Sequence, residues 1–158
     1  MHFDEELILK EVEAGTNKEI LMKMAENLES KGLVKESYKK AVIEREEAFA
    51  TGLPTISYSV AIPHTDVEHV NKKSISVSVL KEPVAFGIMG EESDTTPVKI
   101  VFMLAMDKKH DQLDLLKRLM QLFADPKTLD LIVNEPNKTT IKDHILSLLH
   151  LSHEGGEN

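Results

Sequence analysis

The apolar positions of this chain form helical and extended segments that follow one another in turn. Apolar residues at helical spacing predict helices over residues 17–31, 37–49 and 111–124, a short helix restarting at Asp125 and Pro126, and a last helix from Thr140. Apolar or alternating runs predict strands at 7–9, before Pro63, and at 74–79, 83–86 and 98–105. This interleaving predicts one α/β (layered α+β) domain with a mixed sheet over residues 1–150, followed by a disordered tail, 151–158.

The pattern also predicts how some of these elements end and how they are buried. Thr16 and Glu19 form a capping box before the first helix, and Gly32 ends it. The run 74–79 alternates strictly, which indicates a strand with one buried face, whereas 98–105 is nearly all apolar and should be covered on both faces. Residues 51–54 have the composition of a turn, and 90–96 that of an exposed loop.

Two of the predicted inward stripes contain a polar residue. In helix 37–49 that residue is Arg45, and a guanidinium seldom faces a core without an anionic partner or ligand. Three interpretations stay open: Arg45 extends along its stem to water, pairs with a nearby glutamate, or binds an anion. In helix 111–124 the polar residue is Gln112, which is the first position of the inward stripe. The apolar members of the two stripes are Tyr38, Ala41, Val42, Ala48 and Phe49, and then Leu116, Leu119, Met120 and Phe123.

Composition excludes several classes of function. The 158 residues carry a formal charge of -8, which argues against broad nucleic-acid binding and suits a basic partner. The absence of cysteine excludes disulfides, thiolate metal sites and a cysteine nucleophile. The acidic N-terminus lacks the features of a signal peptide, and the longest apolar run, 100–106, is too short to cross a bilayer. We therefore expect a cytoplasmic protein without direct membrane insertion.

The candidate chemistry lies where the strand before Pro63 ends. Proline cannot donate a ladder hydrogen bond, so the strand must stop there or lie at an edge, and the residue before it is biased towards an extended conformation. His64 is then presented at a strand terminus by a rigid element, a common place for functional residues in α/β proteins. The alternative is that His64, one of seven histidines, has no chemical role.

Two kinds of site would use this histidine. One is a metal site of His64, Asp66 and His69, with His110 as a further ligand, although no specific motif has this spacing. The other is phosphoryl transfer, because a neutral imidazole is a competent nucleophile near neutral pH. The protein then supplies mainly alignment and charge stabilisation, which an arginine and an amide at a helix start provide. Since the chain lacks a P-loop, the phosphate would come from a phosphoprotein.

A family resemblance favours the second reading. The run from Arg45-Glu46-Glu47 through Thr51-Gly52-Leu53 to Val60-Ala61-Ile62-Pro63-His64 resembles the EIIA domains of the bacterial sugar phosphotransferase system, in the fructose–mannitol superfamily. The resemblance covers essentially the whole chain, and the stretches 83–90 and 112–116 look most like the galactitol-specific type.

The resemblance implies a mixed sheet with helices on both faces, and a phosphotransferase that needs no metal or nucleotide cofactor. It implies that Nε2 of His64 accepts a phosphoryl group from HPr and passes it to a cysteine of EIIB, which serves the EIIC permease, for galactitol or a related polyol. Arg45 would face the phosphate. A regulatory EIIA-like module that signals through its phosphorylation state is the alternative.

Two positions depart from the family pattern. Many superfamily members have glycine after the active histidine, whereas this chain has Thr65, whose hydroxyl would either donate to a phosphate oxygen or only fit the turn. Mannitol-type members carry a second histidine at the start of the following helix. Gln112 matches that position on the helix pattern and can still donate a hydrogen bond, and His110 is the displaced alternative.

Overall fold

The computed structural model describes residues 1–149, apart from the side chains of His110 and Asp111, and the predicted tail 151–158 lies outside the described residues. The strands are β1 (Ile8–Val12), β2 (Gly52–Leu53), β3 (Ser59–Ala61), β4 (Ser74–Gly87) and β5 (Thr95–Ala105). The α-helices are α1 (Asn17–Ser30), α2 (Ser37–Ala48), α3 (Lys109–Phe123), α4 (Pro126–Asn134) and α5 (Lys138–Leu149). Single 3₁₀ turns occur at Glu5–Leu7 and Val67–His69.

The five strands form one mixed sheet in the order β1-β4-β5-β3-β2. β1 pairs with β4, and β3 with β5, in parallel, while β4–β5 and β2–β3 are antiparallel. The prediction of a single α/β domain with a mixed sheet is confirmed, and β1 is the edge strand that the run 7–9 indicated. None of the helices in residues 1–149 combines the length and hydrophobicity that a bilayer span requires.

The capping prediction for α1 is confirmed with one adjustment. The Thr16 hydroxyl accepts a hydrogen bond from the Glu19 N–H at 3.2 Å. The Glu19 carboxylate accepts a hydrogen bond from the N–H of Gly15 at 2.8 Å, whereas a standard capping box would use the N–H of Thr16. Gly32, with φ 74°, follows the helix in the left-handed region that an L side chain rarely adopts.

The prediction of one buried face for 74–79 is wrong. Ser74, Ser76 and Ser78 are as fully buried as Ile75 and Val77 between them, because both sides of β4 are covered. Serine tolerates this environment when its hydroxyl finds a carbonyl, and that of Ser76 donates to the Leu7 carbonyl at 3.1 Å. The predicted strand 83–86 is not separate but continues β4 beyond a register shift between Val79 and Val84.

Smaller differences concern the strands beside Pro63. The turn predicted at 51–54 contains the two-residue strand β2, which pairs Gly52 with Ala61. A side chain at Gly52 would meet the Gly87 carbonyl 2.4 Å from its Cβ, so only glycine fits. β3 ends at Ala61, two residues before the proline, so it does not run up to Pro63.

The helical stripes are rotated slightly from the predicted ones. In α2 the buried positions are Tyr38, Val42 and Glu46, four residues apart, whereas Ala48 and Phe49 are exposed. In α3, Met120 is exposed and Leu115 takes its place on the inward face. The last helix begins two residues before Thr140, and Leu148 on its predicted stripe is exposed.

The order of strands places the end of β3 beside the end of β5. Ala61 pairs with Val101, and three residues later the Leu104 N–H donates to the Pro63 carbonyl at 3.0 Å. β5 ends at Ala105, and α3 begins at Lys109 after a short connection. His64 and the first turn of α3 therefore lie at the same edge of the sheet.

Candidate active site around His64

The imidazole of His64 is held by the backbone two residues before it. Its Nδ1 lies 2.8 Å from the Ile62 carbonyl oxygen. A carbonyl can only accept, so Nδ1 carries the proton when the ring is neutral. The lone pair of the neutral ring is then on Nε2, the nitrogen that the family resemblance assigned to attack.

The surroundings of His64 keep its ring uncharged. Burial lowers the pKa of His64 below its ordinary value of 6.5, and the hydrogen bond that His64 donates to the Ile62 carbonyl opposes this only in part. The charge of Arg45 also lowers this pKa, and that of Asp66 raises it. At neutral pH the ring is therefore predominantly neutral and nucleophilic.

Hydrogen bonds to Ile62 and to Pro63 hold the two residues before His64 in place. The Ile62 N–H donates to the Thr51 hydroxyl at 3.2 Å, and the Pro63 carbonyl accepts from Leu104. The Leu104 carbonyl in turn accepts from the buried Tyr38 hydroxyl at 2.7 Å. Because Pro63 also restricts its own φ, the Ile62 carbonyl that orients His64 has little freedom.

Arg45 lies at the same site, on the last turn of α2. Its guanidinium is 4.9 Å from the centre of the Phe49 ring, and its Nη1 is 3.9 Å from the Asp66 carboxylate. The side chain is 41 % exposed, so it is accessible to an anion in solution. The side chain therefore reaches water, as one of the three open interpretations required. Its ion pair is a loose one with Asp66, and no pairing with a neighbouring glutamate occurs within the described residues. An arginine held so loosely by its partner has donors left for a phosphate.

Three further residues were predicted to belong to the site, namely Thr65, Gln112 and His110. Thr65 is buried. Gln112 is half-buried in the first turn of α3, at the same edge of the sheet as His64, and within the described residues no hydrogen bond joins the two side chains. The His110 side chain lies outside the described residues. The roles of Thr65, Gln112 and His110 therefore stay predictions.

The alternative metal site finds no support in the described part of the chain. There, no group of three histidine, aspartate or glutamate side chains is placed to hold a metal ion. The Nδ1 of His69 instead lies 2.8 Å from the Ser37 hydroxyl at the start of α2, and Asp66 is turned towards Arg45.

Two residues of the site were not predicted as such. Glu46 was considered as a partner for Arg45 and Thr51 as part of a turn, and both stand in the run that carries the family resemblance, but neither was assigned a role in the site. The Thr51 N–H and hydroxyl both donate to the buried Glu46 carboxylate, at 2.7 and 2.8 Å. The four-residue spacing of Tyr38, Val42 and Glu46 was the signal that placed this glutamate inward.

The fold and site together define a mixed α/β domain that presents one oriented imidazole beside an arginine at a sheet edge. The family model described as phosphoenolpyruvate-dependent sugar phosphotransferase system, EIIA 2, matches residues 1–148. The chain belongs to this family, whose members are components of a sugar phosphotransferase system. Membership supports a phosphocarrier role for the chain in such a system.

Known proteins of three kinds resemble the chain. The galactitol-specific EIIA component of Escherichia coli K12 is 26% identical over 126 residues, which cover 80% of this chain and 83% of that protein. The transcriptional regulator ManR of Bacillus subtilis is 28% identical over 143 residues, 88% of this chain but only 20% of the regulator. The complex of the E. coli mannitol enzyme IIA with phosphorylated enzyme IIB superimposes with TM-score 0.72 and 25% identity, covering 94% of this chain and 97% of the matched chain.

Proposed function

We propose that this protein is a cytoplasmic phosphocarrier subunit of a sugar phosphotransferase system. Nε2 of His64 accepts a phosphoryl group from phospho-HPr and passes it to a cysteine of EIIB, which supplies the EIIC permease. The observation that carries the proposal is the bond between Nδ1 of His64 and the Ile62 carbonyl, because it leaves the lone pair on Nε2. Without that bond, the nucleophilic nitrogen would exchange between the two ring positions.

The transfer needs no group beyond the three proteins. The Nε2 lone pair forms a bond to phosphorus as the phosphorus–nitrogen bond of phospho-HPr breaks, and the electron pair stays on the HPr imidazole. In the second step a thiolate of EIIB attacks the same phosphorus, and the electron pair returns to Nε2 of His64. Nδ1 keeps its proton throughout and donates it in the hydrogen bond to the Ile62 carbonyl. His64 therefore cycles without exchanging a proton with solvent.

Charge on the transferred group is stabilised by neighbours of His64. Arg45 has exposed donors on the neighbouring helix, and this favours a phosphate-facing role for it. Gln112 is the proposed second donor because it begins the helix at the same sheet edge, with His110 as the alternative. Thr65 follows His64 directly and is proposed as a further donor.

Two comparisons support the choice of partners and sugar. A galactitol-specific EIIA component is among the relatives, which favours galactitol or a related polyol. A mannitol enzyme IIA has been solved in complex with its phosphorylated enzyme IIB, which favours EIIB as the acceptor for this chain as well. The formal charge of -8 suits a basic face on either partner.

A regulatory module is the second candidate. The observation that favours it is the similarity to a segment making up one fifth of a transcriptional regulator. In that role His64 would be phosphorylated in the same way, and the phosphoryl group would act as a signal rather than be passed on.

The test begins with phosphoenolpyruvate, enzyme I and HPr, followed by intact-mass and acid-lability measurements. We expect the wild type to gain one acid-labile phosphoryl group and His64→Ala to gain none. His69→Ala is the matched control, since His69 is bonded to Ser37 and should not affect the reaction. No gain in the wild type with active HPr, or a gain retained by His64→Ala, would overturn the proposal.

A second stage separates the two candidate functions. Purified galactitol-type EIIB is added to the phosphorylated protein, and the masses of both chains are followed. Loss of the phosphoryl group to a cysteine of EIIB is expected for a carrier. Retention of the group, with EIIB shown to accept phosphate from another EIIA, would favour the regulatory module.

A further inference from the structure

Glu46 is a buried carboxylate to which the proposed transfer assigns no task. It is only 5 % exposed, and among the described residues it is the only charged side chain that is buried. A carboxylate is costly to bury unless hydrogen bonds replace its water. Here the replacement is supplied by one residue, because the N–H and hydroxyl of Thr51 each donate to one carboxylate oxygen.

The direction of the hydrogen bonds through Thr51 is determined by its neighbours. The Ile62 N–H can only donate, so the Thr51 hydroxyl oxygen accepts this bond, and its own proton goes to Glu46. The carbonyl of the same residue, Ile62, then accepts from Nδ1 of His64. A series of three hydrogen bonds therefore runs from the Glu46 carboxylate of α2 to the active imidazole, and the Thr51 N–H adds a second bond at the carboxylate end.

We propose that Glu46 and Thr51 are positioning residues that select the tautomer of His64 by holding the backbone of Ile62. The inference rests on the proposed role of His64 as the nucleophile. Thr51 continues the β2–β3 pairing by one residue beyond Gly52 and Ala61 through its side chain. Ile62 is thereby held where the regular ladder has already ended.

A purely structural role for Glu46 explains less of this geometry. The two bonds from Thr51 to Glu46 would be enough to anchor the end of α2, but a role in stability alone does not account for the further bond from Ile62 to the Thr51 hydroxyl. The same helix also acts on His64 through two other residues. Tyr38 supports the Pro63 carbonyl by way of Leu104, and the charge of Arg45 lowers the pKa of His64. One face of α2 thus orients the nucleophile and supplies the cation beside it.

Two isosteric substitutions test the proposal, each with its own chemical consequence. Thr51→Val keeps the shape but removes the hydroxyl, so the Ile62 N–H loses its acceptor. Glu46→Gln keeps the shape but replaces an oxygen that accepts the Thr51 proton with a donor. Thr51→Ser keeps the hydroxyl and is the conservative variant. Thr128→Val is the matched control, because its buried hydroxyl also donates to a carboxylate, Asp125, and has no bond to this series.

The first readout is the tautomer of His64, from long-range ¹H–¹⁵N correlation spectra of the ring nitrogens at a pH where the ring is neutral. The second is kcat and KM for phospho-HPr. We expect Nδ1–H in the wild type, and a mixture with Nε2–H in Thr51→Val and Glu46→Gln. Their kcat should fall about tenfold or more, the scale of losing an outer partner of a functional histidine, with KM little changed. Thr51→Ser should retain most of the wild-type tautomer and most of the wild-type kcat. Thr128→Val should change neither the tautomer nor kcat.

Each outcome decides the matter. Folded Thr51→Val and Glu46→Gln with wild-type ring-nitrogen shifts and kcat would overturn the proposal, and so would variants that both fail to fold, since the network would then serve stability alone. The tautomer readout needs no phosphoryl donor. If the spectra respond as expected but the wild type is never phosphorylated, the proposed function fails while the positioning role stands.

Discussion

The buried carboxyl of Glu46 predicts a specific dependence of stability on pH. Burial raises the pKa of Glu46 from its ordinary value of 4.5 to about 7, although the two hydrogen bonds from Thr51 act in the opposite direction. Between these pH values the folded protein holds a proton that the unfolded chain has released. The contribution of Glu46 to the free energy of unfolding is therefore greatest below pH 4.5, falls as the pH rises to about 7, and is constant above it.

The magnitude follows from the distance between the two pKa values. The difference is about 2.5 pH units, and each unit corresponds to about 1.4 kcal/mol, so about 3 kcal/mol is lost over this range. This is a large fraction of the stability of an ordinary domain. Other carboxyl groups titrate in the same range, so the contribution of Glu46 has to be isolated by substitution.

Urea unfolding of the wild type and Glu46→Gln at a series of pH values from 4 to 8.5 isolates it. The difference between the two free energies should change by about 3 kcal/mol across the series, to the disadvantage of the wild type at high pH. Glu47→Gln is the control, because this adjacent glutamate is exposed and its curve should run parallel to that of the wild type. Parallel curves for Glu46→Gln as well would refute the reasoning, since burial would then leave the pKa of Glu46 unchanged.

Three further predictions concern the transfer itself. Arg45→Lys should lower kcat for phospho-HPr about tenfold to a hundredfold, because an ammonium lacks the planar donors of the guanidinium, and an unchanged rate would argue against a phosphate contact. Gln112→Ala should slow phosphorylation about tenfold with an unchanged melting temperature, from the loss of one hydrogen bond to a charged group. If His110→Ala has that effect instead, the assignment of Gln112 is wrong. Since burial lowers the pKa of His64 below 6.5, the single-turnover rate at pH 6.5 should stay above half of its plateau value, and a rate that is halved at or above pH 6.5 would contradict the neutral ring.

Some residues of the site could be predicted from the sequence, and others could not. Pro63 and His64 were apparent because proline ends a strand by its own chemistry, wherever the strand lies in the sheet. Arg45 was noticed as a polar residue on an apolar stripe, but its looseness against Asp66 depends on a residue 21 positions later. The predicted stripe of α2 extended to Phe49, and the rotation of the real helix buries Glu46 instead. An inward glutamate is not expected from hydrophobicity, and only its partner Thr51 makes it acceptable there.

The amino-acid sequence by itself determined the order and kind of the main elements, the cap of α1, and the position of His64 directly after a proline that follows a strand. These features depend on residues close together in the chain, through periodicity, capping and the restricted backbone of proline. Only the tertiary structure decided that the serines of β4 are buried, that 83–86 continues that strand, and that Thr51 holds Ile62, whose carbonyl orients His64. Each of these depends on residues distant in sequence, such as the pairs Tyr38 with Leu104 and Ser76 with Leu7, which meet only when the sheet and helices pack. A local pattern records which residues prefer burial, whereas a buried hydrogen bond requires a partner that the fold must supply.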